Sequence, residues 1–81
     1  MPPREDARFQ PLLAWAKSHW REHLPRYVRL LEKDGELEAA LERAVEQTIL
    51  VLNQAEARGL NPDQARELAY PNILLPPEDE M

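Results

Sequence analysis

The sequence predicts an all-α protein: a small bundle of three main helices plus a short fourth helix and an extended, proline-bearing C-terminal tail. Two observations support this fold class. Apolar residues recur every three or four residues through most of the chain, as on one face of a helix. Prolines and the only two glycines stand at the boundaries of these stretches. We expect a single small helical domain over residues 1–81, with residues 1–7 and 78–81 disordered.

A proline separates the first two predicted helices. The first is predicted to end at about His23, because Pro25 interrupts its helical pattern. Proline is well tolerated at the first position of a helix, so a second helix is predicted to begin there. Gly35 is predicted to close this helix, because glycine adopts the left-handed conformation without a steric penalty. The apolar positions of the two helices are Phe9, Leu12, Leu13, Ala16, Trp20, Leu24, Tyr27, Val28 and Leu31.

The third helix is the longest predicted element, and a short fourth helix follows it. Helical spacing of apolar residues extends from Leu37 to Ala55, about five turns, and Gly59 is predicted to end the third helix. Asn61 is then a favoured N-cap, and Gln64 completes a capping box that predicts the start of the fourth helix.

The tail is predicted to begin where Pro71 stops the fourth helix, near Tyr70. Residues 72–77 are predicted to be extended. Large apolar side chains are seldom left together in water, so we expect part of this tail to pack on the helices or on a partner. These apolar residues are Ile73, Leu74 and Leu75.

Charge is distributed unevenly along the chain, whose net charge is −5. Residues 1–33 hold seven basic and four acidic side chains, whereas residues 34–81 hold three basic and eleven acidic ones. Arg26, Arg29 and Lys33 form a basic stripe on the second helix, which is either a solvated face or a site for phosphates. The isoelectric point of about 4.9 argues against a dedicated nucleic-acid-binding protein.

The third helix carries an acidic stripe, formed by Glu38, Glu42 and Glu46 at intervals of four residues. One interpretation is a solvated face that keeps the protein soluble. Two functional alternatives are a docking surface for a basic protein and a surface that mimics DNA. In a further, internal alternative the glutamates face the basic stripe of the second helix, where exposed pairs contribute about 0–1 kcal/mol each.

Residues 19–23, HWREH, match the H-x-x-E-H pattern of inverted zinc proteases. On one helix His19 and His23 point the same way and can bind a metal ion, with Glu22 as a candidate base. A catalytic zinc needs a third protein ligand, however, the predicted helix breaks just after the motif, and Trp20 belongs to the apolar face. We therefore expect two surface histidines, with weak metal binding as the alternative, and neither a catalytic site nor a cofactor.

The composition also limits the chemistry and the expected location of the protein. The chain has no cysteine, which excludes disulfides and thiol catalysis. Its longest apolar run is too short to cross a bilayer, and its first residues do not read as a secretory signal. We expect a cytoplasmic protein that is not bound to a membrane.

Three segments resemble known small proteins: YVRLLEKDGEL (residues 27–37), GLNPDQ (59–64) and ARELA (65–69), together with Ala44. They are similar to transposon-encoded accessory proteins of the TnpV type and to short bacterial hypothetical helical proteins. In those proteins a tyrosine–leucine helix, a glycine turn, a long helix and a second glycine precede an A-x-E-L/I segment. The resemblance implies a small helical protein and brings no catalytic residues. Pro71 departs from the transposon-type pattern.

The function expected from these features is that of a non-enzymatic protein–protein interaction module. Self-association is an open extension of this expectation, because it would add stability to a small core. The alternatives are a nucleic-acid-associated accessory factor of a mobile element, acting through Arg26, Arg29 and Lys33, and an acidic inhibitor that mimics DNA. Trp15 lies beside the apolar face and is either a core edge or an interface anchor. The candidate partner-binding residues are Trp15, Glu38, Glu42, Glu46, Ile73, Leu74 and Leu75.

Overall fold

All the regular secondary structure in the described part of the chain is helical. A computed structural model describes residues 2–74. No strand occurs in that range, and the all-α prediction is confirmed. A 3-10 helix at Pro3–Glu5 is followed by α1 (Phe9–His23), α2 (Pro25–Asp34), α3 (Leu37–Ala57), α4 (Pro62–Ala69) and α5 (Pro71–Leu74).

The ends of the first three α-helices follow the predicted signals. Leu24 separates α1 from α2 with a non-helical backbone, φ −129° and ψ 52°, and Pro25 begins α2 as expected. Gly35 follows α2 with φ 72°, and Gly59 follows α3 with φ 82°. Both glycines are in the left-handed region, which side chains with a Cβ rarely adopt. The predicted breaks at these positions are therefore confirmed.

The main core surrounds α3, which packs against all the other helices described. Leu41, Val45 and Ile49 lie along its inner face and are fully buried. Burying a large apolar side chain in this way stabilises a fold by about 1.5–3 kcal/mol. The other members of this core are Phe9, Ala16, Trp20, Val28, Leu37, Ala40 and Ile73.

A second, smaller core forms where α4 folds back onto α3. The predicted capping box begins α4: the Gln64 backbone N–H donates to Asn61 Oδ1 at 2.9 Å, and the Asn61 N–H donates to Gln64 Oε1 at 3.3 Å. These bonds satisfy backbone donors that a helix start otherwise leaves free. The buried residues of the second core are Leu52, Ala55, Ala65 and Ala69.

The start of the C-terminal tail is helical rather than extended. The prediction of an extended chain over residues 72–77 is wrong for residues 72–74, which belong to α5. The Tyr70 carbonyl accepts hydrogen bonds from the backbone N–H groups of Ile73 (2.8 Å) and Leu74 (2.9 Å). Proline lacks only a donor that the first turn of a helix does not use, so Pro71 begins α5 just as prolines begin α2 and α4.

Ile73 packs in the main core, as predicted for this apolar segment. Its side chain is fully buried, and the Trp20 indole N–H donates to the Ile73 carbonyl oxygen at 2.7 Å. Leu74 is 38% exposed and is only partly packed. Leu75, the rest of the predicted extended tail and the expected disorder of residues 78–81 lie outside the described residues.

The N-terminal segment is attached to α3, although residues 1–7 are expected to be disordered. The 3-10 helix occupies part of this segment, and the Arg8 guanidinium next to it donates to Asp6 (2.8 Å), Asn53 (2.6 Å) and Glu56 (3.3 Å). Hydrogen bonds from Arg8 hold the pKa of the Asp6 carboxyl at about 2, below its ordinary value of 3.8. The same bonds raise the pKa of Arg8.

Candidate functional site

The basic stripe lies on the outward face of α2. Arg26, Arg29 and Lys33 are all exposed, and none of them forms an ion pair with another residue in the described range. Leu30 lies among them and is 57% exposed. These four residues are called the α2 surface below. They present three cations beside one apolar side chain, and they lie on one side of the helix because their spacing is three and four residues.

A shallow groove borders the α2 surface where the chain passes from α1 to α2. It forms because the non-helical backbone at Leu24 separates the two helices. Tyr27 is supported from behind by the buried Trp20, and the two ring centroids are 5.3 Å apart. Arg26 and Leu30 belong both to this groove and to the α2 surface. The complete lining consists of His23, Leu24, Pro25, Arg26, Tyr27 and Leu30.

Most residues of the α2 surface do not favour the stability of their own helix, although Lys33 in the last turn suits the negative end of the helix dipole. Arg26 lies in the first turn of α2, where the helix dipole favours acidic side chains, and that turn has none. Arg29 follows Arg26 by three residues and precedes Lys33 by four, and such like-charged pairs each cost about 0.2–0.5 kcal/mol. Leu30 exposes apolar surface to water. Departures of this kind from local stability are expected where residues serve a function.

The acidic stripe of α3 is paired within the chain, unlike the cations of α2. Arg4 forms ion pairs with Glu42 (3.4 Å) and Glu46 (3.2 Å), and Lys17 forms one with Glu38 (3.3 Å). The internal alternative, in which these glutamates face the basic stripe of the second helix, is therefore wrong. The glutamates meet cations of the N-terminal segment and α1, and not those of the second helix.

The histidines lie in a row of rings along α1. The ring centroids of His19 and His23 are 4.5 Å apart, those of Trp15 and His19 are 5.9 Å apart, and those of Trp15 and Tyr70 are 5.0 Å apart. Trp15 packs against Tyr70, but it is 37% exposed and therefore also reaches solvent. The two interpretations of Trp15, a core edge and an interface anchor, both remain compatible with this position.

The structure brings no third metal ligand to the two histidines. Among the residues it describes, no group of three or more His, Cys, Asp or Glu side chains could hold a metal ion. The row of rings therefore lacks the ligand set of a catalytic zinc site in this part of the chain. In the same range, none of the helices combines the length and the apolar character that a bilayer span requires.

Three features described above were not identified from the sequence. Leu30 shares a helix face with Arg26 and Lys33 and not with the buried residues of α2. This spacing could have predicted that Leu30 is exposed. Arg4 was not assigned a role, because a segment rich in proline and charge gives no sign of which surface it contacts. The groove itself depends on the angle between α1 and α2, which helical periodicity does not specify.

Comparisons with known proteins leave the family of this chain open. No protein-family model matches the sequence, and neither the curated proteins nor the solved structures include a significant match. The resemblance to TnpV-type accessory proteins and short bacterial helical proteins therefore stays a prediction. The case for a function rests on the geometry and charge of the surface itself.

Proposed function

We propose that this protein is a non-enzymatic protein–protein interaction module that binds its partner through the α2 surface and the adjoining groove. One observation carries the proposal: the three cations of the α2 surface have no ion-pair partner among residues 2–74 and lie beside the exposed Leu30, although their mutual repulsion does not favour α2 itself. Arginine is enriched among the residues that dominate binding energy at protein interfaces. A groove beside such residues supplies the concave surface that a partner side chain can enter.

A protein partner fits this surface better than nucleic acid does. Nucleic-acid interfaces are strongly basic, whereas this chain has a net charge of −5 and its unpaired stripe has only three cations. Leu30 lies at the edge of the cations, between Arg26 and the groove, and apolar surface bordered by polar side chains is typical of protein interfaces. The nucleic-acid-associated factor is the second candidate, because the same three cations can contact phosphates.

The experiment that tests the proposal is affinity capture from a lysate of the source cells, with and without nuclease. The baits are the full chain, the variant Arg26→Gln/Arg29→Gln and the control Arg43→Gln/Arg58→Gln. The control removes two exposed arginines elsewhere that form no ion pair with a described residue. We expect one identified protein to bind the full chain and the control, to bind the α2 variant poorly and to survive nuclease.

The captured protein is then purified, and its binding to the three baits is measured with purified components. Loss of all captured material on nuclease treatment would instead support the nucleic-acid-associated factor. Equal binding to all three baits would show that the α2 surface is not the binding site. Sedimentation of the full chain over a range of concentrations separates self-association from binding to a different protein.

A further inference from the structure

We infer that the α2 surface recognises an acidic segment with an apolar residue among its carboxylates, carried by another protein. This inference rests on the proposed function and adds the chemistry of the partner. Three features support it in turn: the unpaired charge of the surface, its length along α2, and the apolar side chain beside the groove.

The charge of the surface selects an acidic partner. Arg26, Arg29 and Lys33 are exposed and have no ion-pair partner among residues 2–74, so their charges are available to carboxylates. Arginine binds a carboxylate through two parallel N–H donors, which fixes the orientation of the partner as well as its charge. The glutamates of the acidic stripe do not compete for these cations, because Arg4 and Lys17 already pair with them.

The length of the surface sets the length of the segment. Arg26 and Lys33 are separated by about 10 Å along the helix axis, at about 1.5 Å per residue. Carboxylates spread over the same distance occupy two turns of a partner helix or a few residues of extended chain. The segment is therefore short, and its acidic residues are close together.

The apolar part of the α2 surface requires a partner segment that contains an apolar side chain as well as charges. Leu30 is 57% exposed, and it borders the groove together with Leu24 and Tyr27. An apolar side chain of the partner can cover Leu30 and remove it from water, which an all-acidic segment or a phosphate backbone cannot do. The exposed Leu30 is therefore the feature of the α2 surface that favours a segment with an apolar residue over a polyanion.

The first experiment measures binding of labelled synthetic peptides to the full chain by fluorescence anisotropy. The main probe is a peptide with glutamates spaced three and four residues apart and one central leucine. One comparison peptide replaces the leucine by serine, and another replaces the glutamates by lysines. Single-stranded DNA is the polyanion probe. We expect the main probe to bind at least about tenfold more tightly than each of the others, with an affinity that falls as salt rises.

Variants of the chain locate the binding site of the main probe. Arg26→Gln/Arg29→Gln should weaken binding about tenfold, whereas the control Arg43→Gln/Arg58→Gln should change it by less than about twofold. Equal weakening by the two pairs would overturn the inference, because it would mean that net charge alone attracts the peptide. Tighter binding of DNA than of the peptide would overturn it in favour of the nucleic-acid-associated factor.

A second pair of variants tests the apolar contact. Leu30→Gln should weaken binding of the main probe about fivefold, whereas Leu68→Gln, which replaces an equally exposed leucine (57%) on α4, should leave it unchanged. Equal binding of the leucine and serine peptides would contradict the apolar part of the inference. If a lysate partner requires the α2 surface but no acidic peptide binds there, the proposed function stands and this inference fails.

The sequence of the chain itself contains an acidic segment after Leu75, formed by Glu78, Asp79 and Glu80. The variant Glu78→Gln/Asp79→Asn/Glu80→Gln tests whether that segment is the occupant. If the main probe binds equally well with and without these changes, the partner is another protein, as inferred. If it binds only after them, the occupant is the segment of this chain, and the inference is overturned.

Discussion

The acidic stripe of α3 and the α2 surface contain the same number of charges at similar helical spacings, but their surroundings differ. Glu38, Glu42 and Glu46 pair with Arg4 and Lys17, which belong to distant parts of the sequence. The cations of α2 have no such partner among the described residues, and an exposed leucine lies among them. The acidic charges therefore contribute to the attachment of other segments to α3, whereas the basic charges contribute nothing of the kind to α2.

This difference shows that net charge alone is a poor indicator of which charged surface is unpaired in the described part of the fold. The chain is acidic overall, yet most of its candidate acidic site is used internally. The comparison implies that changes to the contacts beneath α2 and to the paired charges reduce stability, whereas changes to the α2 surface do not.

The largest effect is expected at Trp20, which supports α2 from below. Trp20→Phe removes the hydrogen bond to the Ile73 carbonyl and reduces the ring volume beside Tyr27 in a site that is 2% exposed. We expect the free energy of unfolding to fall by about 2–4 kcal/mol, measured by urea denaturation. Trp15→Phe is the matched control at a 37% exposed site, where a loss below about 1 kcal/mol is expected. Equal losses would contradict the structural role of the Trp20 hydrogen bond.

A smaller effect is expected at Asp6, which anchors Arg8 beside α3. Asp6→Asn should lower the free energy of unfolding by about 1 kcal/mol at neutral pH, because solvent screens a pair whose side chains are 19% and 37% exposed. The pKa of Asp6 is about 2 in the folded protein and 3.8 ordinarily, so the carboxylate stabilises the fold fully above about pH 4.

The pH dependence of the Asp6 effect has a definite sign. As pH falls from about 4 through 2, the carboxyl is protonated first in the unfolded and then in the folded state, so most of its contribution is lost by about pH 2. Urea unfolding of the parent and Asp6→Asn chains should therefore converge over this range. The control Glu32→Gln, at an exposed site on α2, should differ little from the parent at neutral pH. A deficit for Asp6→Asn that is as large at pH 2 as at neutral pH would contradict the role of the ion pair.

The pairs of the acidic stripe are expected to contribute less. Arg4→Gln/Lys17→Gln should lower the free energy of unfolding by about 0.5–1 kcal/mol at low salt, because these pairs are exposed. The loss should shrink at high salt, which screens exposed charges. Thermal unfolding at two salt concentrations measures both values. If the double variant loses no free energy of unfolding at low salt, the ion pairs of the acidic stripe do not stabilise the fold, and the contrast with the α2 surface fails.

The smallest effect is expected on the α2 surface itself. Arg26→Gln/Arg29→Gln should leave the free energy of unfolding unchanged or raise it by up to about 0.5 kcal/mol, because it removes like-charge repulsion and a cation from the first turn of α2. Urea denaturation measures this change in the free energy of unfolding. A loss of more than about 1 kcal/mol would show that these arginines stabilise the fold, and the contrast between the two helices would disappear.

The sequence predicts the helices well because their boundaries depend on local chemistry. Pro25, Gly35 and Gly59 act through their own backbone restrictions, and the capping box requires only nearby residues. Pro71 shows the limit of local reasoning. Proline can end one helix or begin the next, and in α5 the burial of Ile73 against distant helices favours the second outcome.

The sequence predicts which residues of the candidate site share a helix face, but not whether their charges are paired. The cations of α2 share a face that helical spacing reveals, and the structure confirms that they are exposed. Whether a charge is paired depends on contacts between distant segments, such as that of Arg4 with Glu42. The spacing of residues in one sequence does not reveal such contacts. Helical spacing therefore identifies a charged face, while the tertiary structure determines whether that face is available.

The hydrogen bond between Trp20 and Ile73 also bears on the order of events in folding. It joins residues 53 positions apart, whereas α4 packs on α3 across the short connection at Gly59. Closing a longer loop costs more conformational entropy, so the contacts of α3 with α4 form early and the indole bond forms late. A bond absent from the transition state acts on the unfolding rate alone. We therefore expect loss of this bond in Trp20→Phe to raise the unfolding rate and to leave the folding rate largely unchanged.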